Sequence, residues 1–200
     1  MKLICIGDSL TFGYGVRPSQ RWTRLCAQET GWELVNEGIN GDTTGGMLAR
    51  MQGGVLAELR EGGLGADRPY VLLMGGSNDV FYSGSDAAAR GNMGAMIHQL
   101  FSVGVLPMVG IPLPADAPHA PRAWAVAVDF EAAERTMKEY CAWLKRYCTA
   151  FGVPYIDFCA DFLSPDGSIR SELLLDGLHP TPEGHCLMAR RLSAQLKRQG

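Results

Sequence analysis

The stretch Leu3-Ile4-Cys5-Ile6-Gly7-Asp8-Ser9-Leu10 runs four apolar residues into a glycine, a carboxylate and a hydroxyl. A short apolar run bounded by glycine reads as a strand, and Ser9 then stands where the strand gives way to a helix. The pattern recurs. Residues 34–35, 71–74, 105–111 and 153–156 are further strand candidates, leucine-rich or β-branched and flanked by Gly or Pro. Helix-period segments separate them. Over 129–151, Phe130, Ala133, Met137, Cys141, Leu144 and Cys148 recur on one face, with Glu131, Glu134, Arg135, Lys138, Glu139 and Lys145 opposite. The last helix starts with Thr181 as N-cap and Pro182 in its first position, and its end is basic (Lys197, Arg198). Strands alternating with helices predict an α/β fold, one parallel sheet covered by helices on both faces.

The chain of 200 residues suits a single domain, 1–200, with no repeat or linker dividing it. A net charge of −3 gives no basic footprint for nucleic acid. The apolar run at 3–6 is too short for a secretory leader, and no stretch approaches a membrane span, so a cytoplasmic protein is expected. Six cysteines lack zinc-type spacing and are expected to be reduced and buried, with no metal and no cofactor. The 25 glycines, well above the usual share of about 7%, imply many tight turns or close backbone approaches.

In open α/β sheets ligands bind beyond the carboxyl ends of the strands. Polar residues tied to glycine gather there: Gly7-Asp8-Ser9-Leu10, Gly38-Ile39-Asn40-Gly41-Asp42 and Gly75-Gly76-Ser77-Asn78-Asp79, with Asp176-Gly177-Leu178-His179-Pro180 before the last helix. Asp176 and His179 are spaced so that the carboxylate reaches one imidazole nitrogen and leaves the other as a base. Ser9 is the candidate nucleophile. The Ser9 N–H, the Gly41 N–H and the Asn78 amide are candidate donors to an oxyanion. Asp8, Asp42 and Asp79 are expected to hold their turns through side-chain to backbone bonds.

Together these blocks resemble, in order and spacing, those of the SGNH (GDSL) hydrolases, and the likeness spans nearly the whole chain. It implies a three-layer α/β/α sandwich around a parallel five-stranded sheet, flavodoxin-like, and metal-free hydrolysis of a small-molecule ester or thioester. It makes Ser9 the nucleophile, His179 the base and Asp176 its partner, with Ser9, Gly41 and Asn78 as the oxyanion hole. Ser9-Leu10-Thr11, Gly13-Tyr14-Gly15, Gly41-Asp42-Thr43-Thr44 and Leu113-Pro114-Ala115 are similar to the single-domain lysophospholipase, thioesterase and arylesterase group. Carbohydrate O-acetylesterase and an inactive binding protein of the same fold are the alternatives.

Other readings fit less well. Thr11 occupies the second glycine position of the G-x-S-x-G elbow, and neither G-x-G-x-x-G nor a phosphate-binding loop is present. The proline-rich segment 112–128 follows the fourth strand on the substrate side. Its Leu113 and Trp124 are candidate substrate-binding residues, and Phe81 and Tyr82 form a second wall. His119 in that segment is a further candidate contact. Arg17, Arg21 and Arg24 read as a solvated helix face, and His185 as a helix residue outside the chemistry.

Overall fold

A parallel strand covered on both faces must be apolar at every position, because neither face meets water. Three strands come close to that condition in the computed structural model, which describes residues 1–56, 69–105 and 107–198: β1 (Lys2–Gly7), apolar and buried from Leu3 on, β3 (Tyr70–Met74) and β4 (Pro107–Ile111). β2 (Glu33–Gly38) and β5 (Tyr155–Asp157) flank them. The sheet runs β2-β1-β3-β4-β5 and every pairing is parallel. Strand period sorts the side chains. Ile4, Ile6, Val71, Leu73, Val109 and Ile111 join a cluster with α3 (Thr44–Gly53), α4 (Ser77–Ser83), α5 (Ala87–Ser102) and α6 (Phe130–Phe151). Leu3, Cys5, Leu72, Met74 and Met108 join the opposite cluster with α1 (Ser9–Phe12), α2 (Trp22–Thr30) and α7 (Pro182–Leu196). This is the expected three-layer α/β/α sandwich with the flavodoxin-like strand order.

Local signals fix the helix ends. Asp129 caps α6 by accepting the Ala132 N–H, and Gly152 closes it in the left-handed region. Tyr140 joins the buried stripe of α6, and its hydroxyl donates to the Gly75 carbonyl at 2.9 Å. Thr181 caps α7, with Pro182 in the first turn. Two strands are shorter than the apolar runs that announce them. Val105 and Val153 are buried, but their N–H groups bond to Leu100 and Cys148 in the turns closing α5 and α6. Both residues pack into the core without joining a ladder.

Segment 112–128 is built around two 3-10 turns, Ala117–His119 and Arg122–Trp124. The Asp116 N–H donates to the Gly177 carbonyl at 2.8 Å, and the Ala117 N–H to Glu134 Oε2 at 3.3 Å. Gly177 has φ +77°, and a Cβ there would lie 2.7 Å from the Asp116 carbonyl oxygen. Glycine at 177 is therefore what lets residues 116–120 seat on the turn that carries Asp176 and His179. No helix among the described residues is long and apolar enough to cross a membrane.

Candidate active site

Four chain reversals at the carboxyl edge of the sheet carry the predicted residues. β1 ends at Gly7, where a Cβ would come within 2.1 Å of Thr11 Oγ1 and 2.5 Å of the Met74 carbonyl oxygen. The bare backbone lets the chain turn sharply into α1. Asp8 caps that short helix by accepting the Leu10 N–H at 2.9 Å, which presents Ser9 in its first position. Ser9 is 9% exposed, so its hydroxyl meets the site rather than bulk solvent.

Ser9 Oγ lies 3.0 Å from His179 Nε2, across 170 positions of sequence. On the other side of the ring, His179 Nδ1 lies 2.8 Å from Asp176 Oδ2 and 3.1 Å from Oδ1. Asp176 Oδ1 also accepts the backbone N–H groups of His179 (2.9 Å) and Leu178 (3.1 Å). One carboxylate thus shapes the turn and orients the ring. Burial works to raise the Asp176 carboxyl. Its bonds to the His179 ring and backbone, with the Leu178 N–H, outweigh that and hold it below the usual carboxylate range. A carboxylate on Nδ1–H selects the tautomer whose Nε2 accepts the Ser9 proton. The constellation has the parts and reach of an activated hydroxyl nucleophile.

The candidate donors lie on the neighbouring turns. Gly41 has φ +75°, which turns the backbone after β2, and Tyr82 Oη donates to its carbonyl at 3.4 Å. Asn78 Nδ2 donates to the Asp42 carbonyl at 2.8 Å, tying α4 to the residue after Gly41. The acidic residues act over longer reach than expected. Of Asp8, Asp42 and Asp79, Asp8 alone is seen to bond within its own turn among the described residues. Asp79 accepts from the Thr44 N–H (2.9 Å) and hydroxyl (2.7 Å), joining the β3 turn to the start of α3. Asp42 pairs with Arg50 at 2.8 Å, and Arg50 donates onward to the Gly7 carbonyl. Burial pushes the Asp8 carboxyl up to about 7, against the opposing pull of the Leu10 N–H and His179.

The four candidate substrate contacts separate. Phe81 and Leu113, with Leu10, Ser77, Pro114, Ala115, Leu178 and His179, line a small, partly open apolar pocket of about 20 Å³. Tyr82 is 65% exposed beside Gly41. Trp124 stands outside this lining, half-exposed on its 3-10 turn, because 116–120 is the part of the segment that seats on the site. His119 pairs with buried Asp116 at 2.9 Å. Three features escaped the sequence reading. Arg21 is not simply solvated: its guanidinium covers the Phe12 ring at 4.2 Å. His185 is fully buried and accepts the Trp22 N–H at 3.3 Å, and burial, Arg21 and His179 lower its pKa to about 4. Tyr14 lies against His179, their ring centroids 4.5 Å apart. Its glycine neighbours were visible; the contact was not.

Known proteins resemble this chain in sequence and in fold. The esterase TesA of Pseudomonas aeruginosa is 29% identical over 185 residues, spanning 89% of this chain and 79% of that protein. The aryl esterase of M. smegmatis superposes with a TM-score of 0.79 at 20% identity, covering 98% of both chains. Est24, a carbohydrate acetylesterase from Sinorhizobium meliloti, gives 0.78 at 19% identity, covering 100% of this chain and 99% of that one. At such identities the two structures speak for the fold alone. The profile of the GDSL-like lipase/acylhydrolase family matches residues 5–187, from inside β1 into α7, so that all four turns fall within it. The chain accordingly belongs to the GDSL-like lipase/acylhydrolase family and is a hydrolase of ester bonds.

Proposed function

We propose that the protein hydrolyses carboxylic esters or thioesters of small acyl groups through an acyl-enzyme on Ser9. The observation that carries this reading is the continuous path from Ser9 Oγ through the His179 ring to Asp176. His179 Nε2 takes the hydroxyl proton as Oγ bonds to the carbonyl carbon. The resulting oxyanion is met by the Ser9 and Gly41 N–H groups and the Asn78 amide. The intermediate collapses, and the alcohol or thiol leaves with the proton from Nε2. Water then repeats the sequence on the acyl-enzyme, releasing the acid and restoring Ser9. The test is turnover of a chromogenic acetyl ester, its loss with a serine-directed organophosphate, and mass spectrometry that locates the adduct. An adduct on Ser9 supports the reading; a different serine overturns it. Lack of turnover on small acyl esters and thioesters would overturn the substrate class proposed.

Asn78→Ala tests the oxyanion donors. Loss of such a donor costs about 10²–10³ in kcat with little change in KM, since the bond strengthens mainly in the transition state. Raised KM with unchanged kcat would make Asn78 a substrate contact instead.

The cavity beside His179 has room for about one methyl-sized group. Short acyl chains are therefore favoured, which also supports a second reading as an O-acetylesterase of carbohydrate, the activity named for Est24. Each buried methylene is worth roughly 0.8 kcal/mol, about four-fold in rate. Phe81→Ala is expected to move the optimum of an acyl series by one or more methylenes toward longer chains, and Trp124→Ala to leave it in place. Kinetics across the series on one leaving group, with an acetylated sugar beside it, checks both. An unmoved optimum in Phe81→Ala would place the acyl group elsewhere.

A further inference from the structure

The segment after α1 is shaped to bring one ring back over the site. Gly13 (φ +82°) and Gly15 (φ +80°) flank Tyr14 in the left-handed region. The Gly13 and Tyr14 N–H groups both donate to the Ser9 carbonyl, at 2.9 and 3.1 Å. A Cβ at Gly15 would lie 2.7 Å from Leu175 Cδ1, so this segment packs closely against the residue before Asp176. Tyr14 remains 48% exposed, yet its ring sits 4.5 Å from the His179 ring, tilted by 45°. A half-exposed aromatic held by two glycines and a doubly used carbonyl gains little by burial. Its placement calls for another reason.

We propose that Tyr14 is a positioning residue that acts through His179: its π face stabilises the imidazolium formed when Ser9 gives up its proton. The inference rests on His179 being the base. Cations within about 6 Å of an aromatic centroid are attracted to the ring, and His179 carries charge only after proton transfer. The contact therefore strengthens on the way to the transition state, so it raises kcat rather than substrate binding. The other titratable groups that act on His179 are Asp176 at Nδ1, Asp8 at the cap of α1, and His185, which Arg21 in turn acts on. All are unchanged by substitution at 14.

Tyr14→Leu removes the π face. The expected result is kcat lowered about 3- to 10-fold, KM within about two-fold, and the acid limb of kcat/KM displaced to lower pH, because the protonated ring has lost a stabilising partner. Tyr14→Phe keeps the face and is expected to restore the limb. A Tyr14→Leu enzyme with an unmoved limb, or with only a raised KM, overturns the proposal. So does a Tyr14→Phe enzyme as impaired as Tyr14→Leu, since the hydroxyl would then be the active part. Melting temperatures screen for misfolding, and Tyr14→Met replaces Tyr14→Leu if that variant does not fold. Organophosphate labelling of the wild-type enzyme at Ser9 is scored separately, so that failure of the triad reading and failure of the Tyr14 proposal are told apart.

Discussion

Ser9→Ala is expected to lower kcat/KM on an acetyl ester by about four to six orders of magnitude while the protein stays folded. The two effects separate for a structural reason. Among the described residues the hydroxyl bonds to His179 Nε2, and a bond of that kind contributes only about 0.5–1.5 kcal/mol net. The start of α1 is held by the Asp8 carboxylate, which the substitution leaves alone. Chemistry without Oγ would need water to attack directly, aided by the oxyanion donors and binding alone. Activity and thermal unfolding of the purified variant check the prediction. Turnover within ten-fold of wild type would remove Ser9 from the mechanism, and a matching collapse in melting temperature would make its role structural.

Asp176→Asn is expected to cost about 10⁴ in kcat. The amide oxygen can still accept the His179 and Leu178 N–H groups, so the turn keeps its shape. The imidazole loses its anionic partner, and an amide N–H facing Nδ1 would drive the proton to Nε2, where it blocks acceptance from Ser9. A stability change accompanies this. The Asp176 carboxyl is held below its usual range, so its contribution is present above about pH 3.9, the ordinary carboxylate value. It is lost as pH falls through the lower folded value. The wild type should therefore be more stable than Asp176→Asn at neutral pH, with the margin disappearing in acid. Paired kinetic and denaturation measurements across pH check both halves. An Asn variant with near-normal kcat would show that the carboxylate serves the turn and not the base.

What could be read from the sequence follows the range of the forces involved. α6 was legible because its apolar residues recur at helical spacing, and the start of α7 because Thr181 and Pro182 act within one helical turn of themselves. The sheet was legible because buried parallel strands leave nearly continuous apolar runs. The starts of β4 and β5 were not, since Val105 and Val153 are as apolar as true strand residues and differ only in where their N–H groups go. In the site, Ser9, Gly41, Asn78 and the Asp176/His179 pair stood out as polar punctuation after apolar runs. The connections among the turns did not. Asp79 reaches Thr44 and Arg50 reaches Gly7 over dozens of positions, and no local pattern encodes such a reach. Tyr14 and His185 were missed for the same reason: a ring contact and a buried imidazole are settled by what folds onto them.

The bond between Ser9 and His179 joins the first strand of the sheet to the turn before its last helix. A contact of that separation belongs to the slow part of folding, because the intervening chain must order before the ends meet. Under the proposed mechanism Ser9 is synthesised 170 positions ahead of His179, and it stays without its base until that stretch has followed. In that mechanism a partly folded chain would gain helices and sheet before it gained an activated serine. Catalytic competence would then report that the chain has closed on itself across those 170 positions.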